Sequence, residues 1–263
     1  MTDLIVIVPQ LVLVATALAL IVAARHVRRP RSAGFAVVFA TATAIGAAWA
    51  FAWQGPAAAF DGTLVNDGYA QFFSVLFAAA LAVVALLSMK YLEAERIPPA
   101  EYCALLLLAS AGMMFAAASV DLLTLYLGLE LMALCSYFLV GITRHKPASN
   151  EAAVKYFLLG SFASAVLLYG IGLAYGVTGA TDFAAVAAAV SERDLARHPL
   201  LLVGVALVIA GLAFKIAAVP FHAWAPDAYQ GASAPVSAFL AAGSKAAGLA
   251  ALFCVCLVCV FVF

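Results

Sequence analysis

About eight stretches of roughly 20 residues run almost free of charge along this 263-residue chain, and each is long enough to cross a hydrocarbon core of about 30 Å as an α-helix. Lipid offers backbone N–H and C=O groups no water to bond, so a segment that crosses it must satisfy them within itself, as a helix does. Composition agrees: 67% of residues are hydrophobic and 10% charged, with a mean hydropathy of +1.13. A typical soluble domain carries about 25% charged residues. The expected fold is therefore all-α, a polytopic bundle of about eight membrane helices. Lys plus Arg and Asp plus Glu balance at 13 each, which argues against a nucleic-acid partner and leaves the lipid bilayer as the first one implied.

Apolar runs and breaks place the helices at about 4–24, 33–54, 68–90, 101–119, 121–142, 151–176, 199–223 and 234–262. The first run follows Asp3 rather than a basic start, and its positive cluster, Arg25 to Arg31, comes after it, the pattern of a retained membrane helix. Within the polar connection 177–198, Phe183 to Val190 with Ser191, Glu192 and Arg193 fits a short interfacial helix. The loops after helices one, three and five hold the basic residues, including Lys90, Arg96, Arg144 and Lys146, whereas loops two and four hold none. The positive-inside rule then puts those loops in the cytoplasm and the N-terminus outside, as expected of a multi-pass protein of a cell inner membrane. The last helix runs to Phe263 without a polar cap, as though the chain stopped before its fold does.

The cysteines do not make a metal site. Cys103 and Cys135 are isolated, and in the last helix Cys254 and Cys256 point about 200° apart, so with Cys259 they do not converge. The run Gly170-Ile-Gly172-Leu-Ala-Tyr-Gly176 has neither the spacing nor the preceding strand of a dinucleotide loop. Together with other glycines, such as Gly128, Gly211 and Gly248, it suggests close helix packing. No redox motif is present in the sequence.

Chemistry enters with Glu130, Lys155, Lys215 and Lys245, four ionisable residues within predicted spans. Each charge near a helix centre opposes insertion by about 2.5–3.5 kcal/mol, so four could total on the order of 10 kcal/mol. Lys155 lies near its helix start and can snorkel. Pairing alone would fasten helices together, but three lysines against one glutamate leave an excess of positive charge. Proton transfer accounts for that excess, because burial favours a neutral lysine, a nearby carboxylate favours a charged one, and moving the carboxylate switches between them. Helix seven adds Pro220, which withdraws the amide that would bond Ile216 and predicts a kink. His222, seven residues after Lys215, would stand two turns along the same face, where an imidazole could relay a proton. Asp227 and Tyr229 read as turn and interface residues.

Tyr126-Leu-Gly-Leu-Glu130-Leu-Met, Glu151-Ala-Ala-Val-Lys155-Tyr-Phe-Leu-Leu-Gly160-Ser and Leu173-Ala-Tyr-Gly-Val-Thr-Gly179 share their wording with one family. So do Ala210-Gly-Leu-Ala-Phe-Lys215, Val219-Pro-Phe-His222-Ala-Trp-Ala-Pro-Asp227-Ala-Tyr and Ser244-Lys245. The chain resembles the antiporter-like membrane subunits of NADH-quinone oxidoreductase, respiratory complex I, and most of all subunit N. That resemblance implies an N-terminal three-helix segment, 1–98, followed by a five-helix repeat, 99–263, with a broken helix seven. Relatives run to about fourteen helices, so it also implies that the second repeat is absent here. Glu130 and Lys215 correspond to the pair of an input half-channel, Lys155 to a lysine between or beside them, Lys245 to a central relay, and His222 to a histidine in the break. NADH, quinone, FMN and iron–sulfur clusters would belong to other subunits, with no cofactor bound by this chain, and other membrane subunits would be its partners. Two alternatives share the pattern: a subunit of a cation/proton antiporter or membrane-bound hydrogenase, and a shortened structural subunit that conducts nothing.

Overall fold

In a computed structural model, which describes residues 2–27, 29–52 and 55–262, the chain forms a helical bundle. Side chains of Thr2, Phe51, Ala52 and 257–262 lie outside the description, as do Met1, Arg28, Trp53, Gln54 and Phe263, so the expectations for Arg28 and Cys259 fall beyond it. The helices are α1 (Thr2–Val6), α2 (Val8–Val22), α3 (Pro30–Ala52), α4 (Gly68–Ala94), α5 (Pro99–Ala118), α6 (Leu122–Val140), α7 (Pro147–Thr178), α8 (Phe183–Glu192), α9 (Pro199–Ile216), α10 (Trp224–Gly231), α11 (Ala234–Phe239) and α12 (Lys245–Val262). A single π-helical turn, Leu240–Ser244, joins α11 to α12.

Among the described residues, seven segments are long and apolar enough to cross a membrane, with α11, the π turn and α12 forming one of them; the first expected span is represented by α2, which has 15 residues. The sequence predicts one helix over 4–24, but the chain breaks at Ile7, which leaves helical geometry at φ −103°, ψ 17°. Pro9 explains the break: it has no N–H to continue a helix and sits without penalty in the first turn of a new one. Between α3 and α4 the loop folds into an antiparallel hairpin, Ala57–Ala59 against Leu64–Asn66, which the periodicity does not signal. The interfacial helix expected at 183–190 forms as α8, capped by Asp182 Oδ1 accepting from Ala185 N at 2.8 Å.

Helix α5 is the hub: 78% of its span is buried, against 39% for α3, α4, α7 and α9. The core it anchors runs from Leu13 on α2 to Val255 on α12. Large apolar side chains elsewhere point outward, among them Phe35, Phe39, Phe72, Phe138 and Phe162, as lipid-facing surfaces require. The loop after α4 and the loop after α6 meet at one end of the bundle, where Glu95 accepts from Lys146 Nζ at 2.5 Å and contacts His145 Nε2 at 3.0 Å. The Lys146 ammonium bonded to it holds the Glu95 carboxyl below its ordinary range, and Glu95 in turn raises Lys146.

Two close crossings position the interior. A methyl group added at Gly128 on α6 would lie 2.6 Å from the Ala116 amide of α5, and one at Gly112 would lie 2.7 Å from the Gly128 carbonyl. In the same way Gly170 on α7 faces the Gly204 carbonyl of α9 at 2.7 Å. Only glycine permits backbones that near, and such approach is a main source of helix adhesion in lipid. Gly172 and Gly176 meet nothing within 4 Å, so the packing role expected of them does not hold.

Candidate functional site

Helix α6 begins at Asp121, whose carboxylate accepts from Leu123 N at 2.9 Å and Thr124 N at 2.8 Å, satisfying amides that the first turn leaves open. Two and a half turns on, and just past the Gly128 crossing, it presents Glu130 to the bundle interior. Helix α9 arrives alongside α7 and presents Lys215. The Lys215 ammonium donates to Glu130 Oε1 at 3.0 Å and to Ser164 Oγ of α7 at 3.2 Å, while Ser164 Oγ donates to the same Glu130 oxygen. Lys215 is 5% exposed and Glu130 20%, so the pair is internal. A hydroxyl both donates and accepts, so Lys215 has two links to the carboxylate, one direct and one through Ser164. Sequence reasoning missed Ser164, which sits among many small residues of α7 with no charge to single it out.

Helix seven, where proline chemistry predicts a kink and the resemblance a broken helix, breaks outright. α9 stops at Ile216, Ala217 takes the left-handed conformation at φ 55°, ψ 42°, and the chain resumes helix only at Trp224. Ala217 N bonds Phe214 O at 3.0 Å and Ala218 N bonds Ala213 O at 2.9 Å, the paired pattern that closes a helix C-terminus. Pro220 has no amide for Ile216, and the Ile216 carbonyl accepts from Lys245 Nζ at 3.0 Å. Trp224 Nε1 donates to Phe214 O at 2.9 Å. Thus the carbonyls on either side of Lys215 are both held by side chains, and backbone freed at membrane depth is satisfied inside the protein.

Lys245 follows the π turn, a feature frequent at functional positions. Its ammonium lies 5.3 Å from the Trp224 ring centroid and 5.7 Å from that of Tyr229, within reach of cation–π attraction. Tyr229, read as an interface residue, is therefore part of the surroundings of Lys245.

Lys155 and His222 stand apart from the pair. Lys155 Nζ bonds Glu151 Oε1 at 2.7 Å and Asp227 Oδ2 at 3.1 Å, and all three side chains are roughly half exposed. It does not lie between Glu130 and Lys215, and it takes no part in the excess of buried positive charge, because it has two carboxylates of its own. The placement of His222 two turns beyond Lys215 fails because the helix ends at Ile216; His222 is exposed in the loop. Among the described cysteines, Cys103 and Cys135 are buried and Cys254 and Cys256 partly so.

The family described as NADH:quinone oxidoreductase/Mrp antiporter, TM, matches residues 119–262. The chain is 41% identical to NADH-quinone oxidoreductase subunit N of Trichlorobacter lovleyi over 249 residues, covering 94% of this chain and 51% of that protein. Among solved structures, it superposes on a chain of respiratory complex I from Thermus thermophilus with bound aureothin at a TM-score of 0.80 and 33% identity, over 94% of this chain and 52% of the other. A chain of the membrane-bound sulfane sulfur reductase, an archaeal respiratory membrane complex, gives a TM-score of 0.76 at 28% identity, over 91% and 52%. The chain spans about half the length of the curated relatives it matches.

Proposed function

Because the chain belongs to the NADH:quinone oxidoreductase/Mrp antiporter membrane family, we propose that it carries protons as a membrane subunit of an NADH-quinone oxidoreductase, driven by quinone reduction elsewhere in the complex. The observation that supports this most is the buried Glu130–Ser164–Lys215 contact at the broken end of α9, with Lys245 bonded one residue further on. A charge pair at membrane depth is costly to build and is retained where ions move. Residues 99–263 are read as one antiporter-like repeat, with NADH, quinone, FMN and iron–sulfur clusters held by other subunits.

In this reading protons enter from the cytoplasmic end, where Lys155, Glu151 and Asp227 form a charged mouth and His222 lies in the adjoining loop. They reach Lys215 when its contact with Glu130 loosens, and pass to Lys245. The Ser164 hydroxyl gives the carboxylate and ammonium a second route of exchange. The basic loops face the cytoplasm, which sets the N-terminus outside an inner membrane.

The test is proton pumping in inverted membrane vesicles carrying Lys215→Ala in the assembled complex. Pumping should fall while insertion and assembly persist. Unchanged pumping with normal assembly rejects the reading and favours a non-conducting structural subunit.

A further inference from the structure

The short helix α10 is not needed to complete a membrane span, yet it is tied down at three points. At the surface Asp227 accepts from Lys155 of α7 at 3.1 Å. In the interior the Trp224 indole stacks on Tyr156 of α7, with ring centroids 4.5 Å apart and planes within 12°. The same indole, fully buried, donates Nε1–H to the Phe214 carbonyl at 2.9 Å, one residue before Lys215. Its ring also packs against Phe214 at 5.5 Å and carries the Lys245 ammonium at 5.3 Å.

These contacts make α10 a strut between α7 and the open end of α9. Helix α7 supplies Ser164, which bonds both members of the ion pair, and α9 supplies Lys215, so a residue that fixes α9 to α7 near this point fixes the pair's geometry. Lys215 lies in the last turn of its helix, where no further turn would otherwise hold it. We propose that Trp224 is a positioning residue for the Glu130–Lys215 pair, acting through the Phe214 carbonyl and anchored at the surface by the Lys155–Asp227 ion pair. The inference rests on the proton-carrying reading for its purpose, but the geometry it describes holds whether or not protons are pumped.

The test is the titration of Glu130 in the full chain, reconstituted in phospholipid nanodiscs and followed by its infrared carboxyl band, identified by difference against Glu130→Gln. The charged or titratable groups near Glu130 are Lys215 on α9, Tyr156 on α7, and Tyr126 and Tyr137 on its own helix. Near the strut they are Lys155 and Glu151 on α7, Asp227 on α10 and Lys245 on α12. Trp224→Phe keeps an aromatic face against Tyr156 and removes the N–H. It should move the Glu130 midpoint by at least about half a pH unit, and Asp227→Asn should move it less and in the same direction. A midpoint that overlays wild type in Trp224→Phe, even with lowered thermal stability, overturns the proposal and leaves a purely structural tryptophan. If Trp224→Phe fails to insert, Asp227→Asn and Lys155→Met at the surface decide the matter: a shifted midpoint supports the strut and an unmoved one overturns it. Loss of pumping in Lys215→Ala with an unmoved Trp224→Phe midpoint would sink this proposal alone.

Discussion

The helices α2, α3 and α4 and the helices α6, α7 and α9 belong to the same core but solve membrane burial differently. The first group packs through alanine, leucine and valine, with buried polar contacts such as Ser88 Oγ donating to Val84 O at 2.6 Å that are neutral and local. The second buries a carboxylate and an ammonium, breaks a helix, and places side chains of Trp224 and Lys245 on carbonyls beside the break. The first group shows that membrane helices of this chain can pack without a buried ion pair. In the proposed function the second region carries the chemistry and the first supports it.

That contrast can be broken most sharply at Lys215. Lys215→Ala leaves Glu130 buried without its cation and should cost about 3–5 kcal/mol, the range for half of a buried pair. Denaturation of the purified chain in detergent checks this, and adding Glu130→Ala should recover part of the loss. Next in size are the crossings: Gly128→Val drives a side chain into the Ala116 amide and should cost on the order of 1–3 kcal/mol. Gly176→Ala, which meets nothing, should not lower thermal stability and, inside a helix, should raise it slightly. Below the Gly128 clash, Ser88→Ala removes two neutral buried bonds, one donated to Val84 O and one shared with Tyr102 OH, and should cost about 1–2 kcal/mol, with no effect on proton movement.

The smallest effect belongs to the tie between loops. Glu95 is held below its ordinary value of 4.5, so its contribution is complete above that pH and fades as pH falls through the lowered value. Lys146 is raised above 10.5, so its contribution is complete below that pH and is lost above the raised value. Glu95→Gln should abolish this acid sensitivity of loop docking, read by hydrogen exchange across 141–146, without touching the bundle.

The spans were legible in the sequence because charge-free length is a property of the chain alone. Glu130, Lys215 and Lys245 were legible because charge in lipid is costly wherever the fold puts it. What pairs with what was not. Glu151 stands four residues before Lys155, a spacing that already offers a surface ion pair, but Asp227 joins it only because α10 folds back on α7. Pro220 announces a disturbance, yet the stop at Ile216 goes with Ala217 turning left-handed and Lys245 taking the freed Ile216 carbonyl. That same stop removes the helical spacing on which the placement of His222 relied. Ser164 carried no signal, because a hydroxyl in a helix usually bonds its own backbone and only the packing of α7 against α6 and α9 brings this one to Glu130 and Lys215.

The most direct measurement is the number of protons pumped per electron pair in vesicles, comparing Glu130→Gln with Ser88→Ala in equally assembled complexes. A lower ratio in Glu130→Gln with a wild-type ratio in Ser88→Ala is the predicted result. Equal, undiminished ratios in both would contradict the division between a conducting and a supporting region.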